Sequence, residues 1–331
     1  MTTREWNPGE LLEVSGYFWK TCTLHAAVKL DVFTCLAEEQ LSSAEVSDRL
    51  KASSKGVERL LNALVAMELL TKAEDKYFNT FSAKEFLSKD SPKYLGNIIM
   101  HHHHLVESWS QLDQCVQSGQ AIRERSSFSD EEWRESFLMG MFNMAMNMAP
   151  MLIPKIDISS RRHLLDLGGG PGTYAVHFCR HNPQLKATVF DLPTTRPFAE
   201  KTIERFDLSD RIDFRGGSYL KDDIEGRYDV AWLSHILHGE GPEGCKKIIQ
   251  KAVAALERGG IIIIHEFILD NSMDGPLFPA LFSLNMLLGT DSGQAYSEQQ
   301  LMDMLADAGA KDIQRLAVQT PNDSGIITGI I

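Results

Sequence analysis

The chain has 331 residues, of which 43% are hydrophobic and 24% are charged, and its net charge at pH 7 is −12. This length allows two domains with a core in each, and the composition is that of a globular protein. The acidic balance argues against nucleic acid as a partner, because proteins that bind it need a basic surface.

The sequence also argues against secretion and membrane insertion. The N-terminal stretch "MTTREWNPGELLEV" has no apolar segment after a basic start, as a secretory signal would have. The longest apolar stretches, "IIIIHEFIL" and "FPALFSLNMLLG", are shorter than the roughly 20 residues that a membrane span needs. The five cysteines are scattered, without a C-x-x-C pair. We therefore expect free thiols and a cytoplasmic protein without a membrane partner.

Residues 1–105 have the helical pattern of a winged helix. The stretch "LLEVSGYFWKTCTLHAAVKLDVFTCL" has the apolar spacing of an amphipathic helix. In "LSSAEVSDRL" the next helix begins after Ser42 or Ser43, with Glu45 in a capping-box position. A third helix, "SSKGVERLLNALVAMELL", follows, and then a turn at Asp75 and Lys76 joins two short β-prone segments.

A winged helix can bind DNA or pack against another subunit. The third helix, which would be the recognition helix, offers only Lys55 and Arg59 near its start and is apolar afterwards. DNA binding depends on neutralising phosphates with lysine and arginine. The sequence therefore favours a homodimer formed through this domain.

Residues 106–160 are predicted to be a helical connector, and an unusual histidine run stands just before it. In "MHHHHLVESW" four histidines on a helix would point around most of its circumference, and only His101 and His104 share a face. This favours a solvated helix, or one at the edge of a pocket, over a metal site. Further on, "FLMGMFNMAMNMAPMLIP" holds six of the 13 methionines, which suit either a core helix or the lining of a pocket for flat ligands.

Residues 161–331 alternate between apolar strands and helices, which predicts a parallel sheet covered on both faces. The strands are "HLLDLG", "KATVFDLP", "RIDFRGG", "YDVAWLSH" and "IIIIHEF", and the last two segments, "DIQRLAVQT" and "GIITGII", predict a terminal antiparallel hairpin. The helix "EGCKKIIQKAVAALERGG" is predicted to end at its glycines.

The stretch "LLDLGGGPGTY" predicts a ligand loop after the first strand of this sheet. The dinucleotide fingerprint G-x-G-x-x-G does not fit, because Thr173 stands at its third glycine. The pattern is D-x-G-x-G-x-G, and the carboxylate of Asp166 can pair with an ammonium group. It indicates a ligand with an amino-acid part, such as S-adenosylmethionine. Asp191, at the end of the second strand, is placed to bind a ribose diol, which alone does not separate this ligand from a nicotinamide cofactor.

The segment "SHILHGEG" has two histidines three residues apart at the end of a strand. A metal site needs further ligands at short spacing, and the sequence shows none, so we predict no metal. A lone histidine such as His235 is more often a packed residue than a ligand. An imidazole can accept a proton at neutral pH, which makes His238 a candidate base.

These stretches, together with "GGSYL", "GGIIIIHEFIL" and "SLNMLL…GQAYSEQQL", resemble the small-molecule O-methyltransferases that depend on S-adenosylmethionine. That family includes plant caffeic-acid-type, hydroxyindole and bacterial secondary-metabolite enzymes. The resemblance covers most of the chain. It implies an α/β fold with a Rossmann-like class I methyltransferase domain, whose mostly parallel seven-stranded sheet ends in an antiparallel hairpin. An α-helical, winged-helix-like dimerisation domain would precede it.

The resemblance also implies roles for individual residues. His238 would be the general base and Glu266 would orient it, while Glu298 would be either a second such carboxylate or an acidic residue in the first turn of a helix. Relatives usually have Asp-Trp after the base, whereas here Gly239 and Glu240 follow. Glu240 either replaces the aspartate with a one-residue offset or is simply solvated. The implied contacts with the cofactor, S-adenosylmethionine, are Asp166, Gly168, Gly170, Asp191, Leu192, Gly217, Ser218, Tyr219 and Ser234.

The implied acceptor is a small hydroxylated aromatic or heteroaromatic molecule. The helix before the methyltransferase domain would line its pocket, which makes Met139, Phe142 and Met146 candidate lining residues. Three further candidates match the family's "LNML" stretch: Phe282, Asn285 and Met286. Two alternatives stay open. One is a family member that methylates carbon, nitrogen or sulfur, or that no longer transfers methyl groups. The other is a regulator that senses S-adenosylmethionine and binds DNA.

Overall fold

The computed structural model describes residues 5–125, 131–318 and 320–331, apart from the side chain at position 132. It divides into two compact units, residues 1–105 and 106–331. Parts of the predicted N-terminal stretch, connector and terminal hairpin, at positions 1–4, 126–130 and 319, therefore lie outside the described residues.

The first unit is helical with a small antiparallel sheet. Its helices are α1 (Pro8–Lys29), α2 (Val32–Leu36), α3 (Ser43–Leu50), α4 (Ser54–Ala66), α5 (Phe81–Leu87) and the first part of α6 (Gly96–Trp109). Its strands are β1 (Leu41–Ser42), β2 (Leu70–Ala73) and β3 (Lys76–Asn79), in the order β1-β3-β2. This is the predicted order of helices and hairpin.

Two local details of this unit refine the helix boundaries that the sequence predicted. Ser42, not Ser43, is the N-cap of α3: its hydroxyl accepts a bond from the Glu45 N–H, and the Glu45 carboxylate accepts one from the Ser42 N–H at 2.7 Å. The long N-terminal helix is interrupted, because Asp31 adopts a left-handed conformation with φ of 63°. Aspartate tolerates this conformation better than most residues.

The second unit contains the larger sheet. Its helices are α7 (Leu112–Ser118), α8 (Glu131–Leu152), α9 (Thr173–His181), α10 (Arg196–Arg205), α11 (Pro242–Ala255), α12 (Leu277–Gly289) and α13 (Glu298–Asp307). Its strands are β4 (His163–Leu167), β5 (Lys186–Asp191), β6 (Ile212–Gly216), β7 (Tyr228–Ser234), β8 (Leu256–Leu269), β9 (Tyr296–Ser297), β10 (Lys311–Leu316) and β11 (Ser324–Ile330).

The sheet has the order β10-β11-β8-β7-β4-β5-β6, with β9 paired to the end of β8 outside this path. Strands β4 to β8 pair in parallel, and β11 runs antiparallel to both β8 and β10. The seven-stranded sheet and its antiparallel hairpin are therefore confirmed, while the two-residue strand β9 was not predicted. The carboxyl ends of β4, β5, β6 and β7 lie at one edge, where open α/β sheets bind ligands.

Helices α11 and α8 both end beside the large sheet. Helix α11 ends at Ala255 rather than at the glycines, because Leu256 already pairs with Tyr228 of β7. Helix α8 is long and apolar enough, by composition alone, to span a membrane, a test that buried helices of globular proteins also pass. Its C-terminal residues Ala149 and Leu152 lie in the hydrophobic core beside β4 and α9.

Candidate active site

The glycine loop joins β4 to α9 at the carboxyl edge of the sheet. Gly168 has φ of 66° and Gly170 has φ of 54°, a region that side chains with a Cβ rarely adopt. A Cβ at Gly168 would also stand 2.5 Å from the Cγ2 atom of Ile236. Gly168 is therefore required by both its backbone conformation and its packing, and Gly170 by its backbone conformation. Because neither has a side chain, the loop stays open to a ligand.

Asp166 lies beneath this loop and is only 1% exposed. Its Oδ2 accepts a bond from the Ala175 N–H at 3.2 Å, whereas its Oδ1 is buried without a hydrogen-bond partner among the described residues. Burial, with a smaller contribution from Asp191, raises the pKa of Asp166 to about 7. A buried acceptor without a donor is costly, and an ammonium group of a ligand would satisfy it.

Hydrogen bonds of the Asp191 carboxylate connect the end of β5 to the glycine loop. Its Oδ2 accepts a bond from the Gly170 N–H at 2.8 Å, and its Oδ1 accepts bonds from the Leu192 N–H at 2.6 Å and the Thr195 hydroxyl at 3.0 Å. Burial raises the pKa of Asp191, while these donors oppose the rise. The structure thus places Asp191, Leu192 and Gly170 together, as predicted for a ribose-binding corner.

The loop after β6 adjoins this corner. The Gly217 N–H donates to the Asp191 carbonyl at 2.8 Å, and the Ser218 N–H donates to the Asp222 carboxylate at 2.8 Å. The Tyr219 hydroxyl accepts a bond from the Arg125 guanidinium at 2.9 Å. Asp222 thus provides a carboxylate four residues beyond Ser218.

His238, just beyond β7, and Glu266, within β8, form a tight pair. The Nδ1 atom of His238 is 2.8 Å from the Oε2 atom of Glu266, and Glu266 Oε1 accepts bonds from the Leu237 and His238 N–H groups at 2.9 and 3.3 Å. Glu266 is 2% exposed. Burial alone would raise its pKa, but the His238 and His235 imidazoles hold the pKa of this carboxyl well below its usual value. Glu266 therefore stays ionised and orients the His238 ring.

His235 has a different environment from His238. It lies just after β7 with φ of 55°, and its ring packs against the rings of His265 and Phe267 at centroid distances of 4.4 and 4.3 Å. Its Nδ1 is 3.5 Å from Glu266 Oε2, longer than the 2.8 Å bond of His238. This packing agrees with the prediction of a structural residue.

The two histidines nevertheless share the Glu266 carboxylate, which the sequence analysis paired only with His238. Ligand atoms of His235, His238 and Glu266 lie within 4.8 Å of one another, a spacing that would admit a metal ion. Glu266 is 28 residues from His238 in the chain, too far for a short-spacing motif to include it. That the protein uses no metal stays a prediction.

Ser234 contributes to a buried polar chain beneath the site. Its Oγ lies 2.9 Å from His265 Nδ1, and His265 Nε2 lies 3.1 Å from the Ser324 hydroxyl. Burial, together with the neighbouring His235 imidazole, lowers the pKa of His265 far below its usual value, so this imidazole is neutral. His265 also stacks on Trp232 at 5.4 Å. Sequence reasoning missed His265, since an apolar strand around it indicated only core.

Glu298 and the predicted acceptor residues of α12 have different partners. Glu298 is the first residue of α13, and its carboxylate pairs with Arg315 at 2.6 Å, which supports the helix-terminus interpretation over that of a second orienting carboxylate. On α12, the Phe282 ring meets the His238 ring edge-on at 4.8 Å. Asn285, one turn further, accepts a bond from the Trp109 indole N–H at 3.2 Å, and Met286 is buried beside it.

Comparisons with known proteins agree with this geometry. A family model for the O-methyltransferase domain matches residues 116–311, and one for the O-methyltransferase dimerisation domain matches residues 12–89. The chain belongs to the S-adenosylmethionine-dependent O-methyltransferase family. The predicted resemblance is thereby confirmed.

Individual members of this family match the chain along nearly its whole length. A 3-hydroxy-5-methyl-1-naphthoate 3-O-methyltransferase from Streptomyces sahachiroi is 30% identical, over 98% of this chain and 95% of its own. The tetracenomycin polyketide synthesis 8-O-methyl transferase TcmO from Streptomyces glaucescens is 31% identical, over 96% of each chain. The crystal structure of human N-acetylserotonin methyltransferase in complex with SAM superposes with a TM-score of 0.87, at 27% identity, over 100% of this chain and 99% of that one.

The methyltransferase's predicted pocket residues on α8 include two that contact α10 and α9. The Arg205 guanidinium lies 5.7 Å from the centroid of the Phe142 ring, and Met146 Sδ lies 3.5 Å from His177 Nε2. Met139 is half-buried, one turn before Phe142 on the same face of the helix. The pocket role of these α8 residues stays a prediction, whereas Phe282 of α12 contacts the His238 ring itself, which makes α12 the better candidate for the acceptor side.

Glu240 has a role that neither sequence interpretation anticipated. Its carboxylate pairs with Arg125 at 2.6 Å, and its carbonyl accepts a bond from the Tyr296 hydroxyl at 2.6 Å. A Cβ at Gly239 would collide with the Arg125 guanidinium, which explains why a glycine precedes Glu240. The segment "GEG" thus accommodates an arginine that links Glu240 to Tyr219 in the loop after β6. No local pattern could reveal it, since Arg125 and Glu240 are 115 residues apart.

Proposed function

We propose that this enzyme transfers a methyl group from S-adenosylmethionine to a hydroxyl group of a small aromatic acceptor, with His238 as the general base. The observation that carries this proposal is the bond of 2.8 Å between His238 Nδ1 and Glu266, at the same edge of the sheet as the glycine loop. A base oriented by a buried carboxylate is what deprotonation of a hydroxyl requires.

The residues around the glycine loop fit the cofactor. Asp166 Oδ1 is a buried acceptor without a donor, suited to the ammonium group of the methionine part. Gly168 and Gly170 leave their backbone accessible. Asp191 and Leu192 would contact the ribose, and the Gly217–Tyr219 loop would contact the adenine. Ser234, at the end of β7, would complete the cofactor side from beneath. When bound, S-adenosylmethionine supplies a methyl group that its sulfonium has already activated.

The base acts through the two nitrogens of one imidazole. The Nδ1–H of His238 donates to Glu266, which leaves Nε2 as the acceptor for the proton of the acceptor hydroxyl. The imidazolium that forms is stabilised by a carboxylate that stays ionised. His238 thus makes the attacking oxygen more nucleophilic, while the surrounding side chains align the acceptor and limit water.

The aromatic rings beside His238 favour a flat acceptor. Phe282 touches the base, and Phe267 packs against Phe282 at a centroid distance of 4.5 Å. Together with Asn285 and Met286 they would provide the surface on which an aromatic acceptor ring stacks. The names of the relatives refer to a naphthoate, a tetracenomycin polyketide and acetylserotonin, all aromatic.

We also propose that the enzyme is a cytoplasmic homodimer, with residues 1–105 as its dimerisation domain, 106–160 as a connector and 161–331 as the methyltransferase domain. The matched dimerisation family supports this arrangement. Helix α1 also exposes large apolar side chains that a second copy could cover, at Leu11, Leu12, Val14, Tyr17, Phe18 and Trp19. Mass measurement by light scattering should give twice the chain mass for the purified protein, and a monomer would refute this part.

The proposed reaction is tested by an acceptor screen with methyl-deuterated S-adenosylmethionine, read by mass spectrometry. Each hydroxyarene is paired with the corresponding arylamine and thiophenol. We expect labelled methyl on the hydroxyarenes, with fragmentation that places it on oxygen. Label on ring carbon, nitrogen or sulfur alone would assign the enzyme to another methyl acceptor.

A further inference from the structure

Arg123 lies against α12 at the acceptor side of the methyltransferase unit. Its Nη2 donates to the Asn285 carbonyl at 3.2 Å and to the Asn285 side-chain oxygen at 3.0 Å. The guanidinium covers Gly289, where a Cβ would stand 2.5 Å from its Cζ. Its backbone N–H donates to the Leu288 carbonyl at 3.2 Å. The arginine is therefore held in place from several sides before any ligand binds.

The guanidinium of Arg123 has no anionic partner among the described residues of its unit. Among the described residues of its unit, no carboxylate forms an ion pair with Arg123, and its Nε is buried without an acceptor. Burial accordingly lowers its pKa, and no neighbouring charge offsets the effect. Arg125, two residues on, is the internal contrast: it pairs with Glu240 at 2.6 Å. A desolvated cation without a partner is costly, so such a site is built for an anion that arrives.

The side-chain amide of Asn285 provides a further hydrogen-bond donor next to Arg123. Its side-chain oxygen accepts bonds from both Arg123 and the Trp109 indole, and these two donors fix the orientation of the amide. The Nδ2 group then faces away from them, and it makes no hydrogen bond within the described part of the unit. Arg123 and Asn285 together offer N–H donors of the kind that bind the two oxygens of a carboxylate.

The position of these donors relates them to the base. Asn285 follows Phe282 by one turn on the same face of α12, and Phe282 contacts the His238 ring. An aromatic acceptor stacked on Phe282 can therefore present one substituent to His238 and another to Arg123. The chain as a whole has a net charge of −12, so an anionic acceptor needs a local cation of this kind.

We propose that the acceptor is an aromatic hydroxy acid whose carboxylate binds Arg123 and Asn285 while its hydroxyl faces His238. This inference rests on the proposed function and narrows it to one class of acceptor. Arg123 is a specificity residue in this arrangement, because it touches the acceptor away from the reacting oxygen.

The test compares hydroxynaphthoic acids with their primary carboxamides, which keep the shape and remove the charge. The ratio of kcat/KM for the acid to that for the amide is measured in the wild type, in Arg123→Gln and in Arg123→Lys. We expect the wild type to favour the acid, Arg123→Gln to lower the ratio roughly tenfold or more, and Arg123→Lys to restore part of it. Arg227→Gln, which removes an exposed arginine, is the matched control and should leave the ratio unchanged.

A binding measurement separates this inference from the proposed function. The affinities of the same acids for the enzyme saturated with S-adenosylhomocysteine are measured by calorimetry. Acid binding that weakens about tenfold in Arg123→Gln supports the carboxylate site even if no compound of the panel is methylated, in which case only the proposed reaction fails. Equal acid and amide binding in the wild type overturns the inference. So does a loss of affinity for S-adenosylhomocysteine in Arg123→Gln with an unchanged acid-to-amide ratio, because Arg123 would then serve the cofactor.

Discussion

The cofactor side and the acceptor side of this methyltransferase are built in contrasting ways. On the cofactor side, the bond from Gly170 to Asp191 joins residues 21 positions apart, within consecutive βα units. On the acceptor side, Arg123 meets Asn285 across 162 positions. A site made from consecutive strand ends is encoded as a short motif, whereas a site made from distant segments depends on how the chain folds back. The first therefore suits a cofactor that the whole family shares, and the second suits an acceptor that can differ between members.

The base stands where the two sides meet, and its removal should have the largest effect. We expect His238→Ala to lower kcat by about 10²- to 10⁴-fold, the usual contribution of a general base, because the hydroxyl would lose its proton acceptor. The affinity for S-adenosylhomocysteine should change less than about twofold, since the proposed cofactor contacts do not include this ring. Steady-state kinetics and calorimetry on the same preparation measure both.

His181→Ala, which removes an exposed histidine at the end of α9, is the control and should behave as the wild type. A His238→Ala enzyme that turns over at the normal rate would show that the acceptor oxygen needs no base, and the proposed mechanism would then be wrong.

Asp166 tests the cofactor side. We expect Asp166→Asn to weaken S-adenosylhomocysteine binding roughly tenfold, because a charged hydrogen bond to the ligand ammonium is lost. The wild type should also bind more tightly as pH rises. Its Asp166 has a pKa of about 7 in the free protein, and the ligand ammonium lowers that value, so binding releases a proton below pH 7.

The affinity should therefore rise by up to about tenfold per pH unit between pH 5.5 and 7 and level off above 7. Calorimetry in buffers of different ionisation enthalpy measures both the slope and the released proton. In Asp166→Asn the slope should be absent. The same slope in both proteins would assign the proton to another group.

The link between the two sides is the pair of Arg125 and Glu240, with side chains 29% and 15% exposed. A double-mutant cycle with Arg125→Gln and Glu240→Gln should give a coupling free energy of about 1 kcal/mol or more in unfolding, because both groups are partly desolvated. The same cycle on the more exposed pair of Lys246 and Asp307 should give a smaller coupling. Equal couplings would mean that the Arg125 pair is as solvated as a surface pair.

Glu298 should show the smallest effect. We expect Glu298→Gln to keep kcat within about twofold and to cost at most about 0.5–1 kcal/mol of unfolding free energy, as loss of a surface ion pair at a helix N-terminus does. Kinetics and chemical denaturation measure the two quantities. A tenfold loss of kcat would instead show that this carboxylate reaches the base during turnover.

Much of the fold and of the cofactor side could be predicted from the sequence, because each feature depends on neighbouring residues. The period of the apolar residues determined the order of helices and strands, including the antiparallel hairpin at the end of the sheet. The pattern D-x-G-x-G-x-G determined the cofactor loop, since left-handed glycines and a buried carboxylate are requirements of one short segment. His238 with Glu266 followed from the resemblance, and the structure brings those two side chains together.

Only the tertiary structure decided what surrounds the proposed acceptor site. The α8 residues Phe142 and Met146 had the composition of a pocket, but the rotation of the helix turns them toward α10 and α9. The role of Glu240 depends on Arg125, and the lack of an anion at Arg123 is a property of everything packed around it. Burial and the pairing of charges are sums over contacts between distant segments, so the sequence contains their residues but does not show their arrangement.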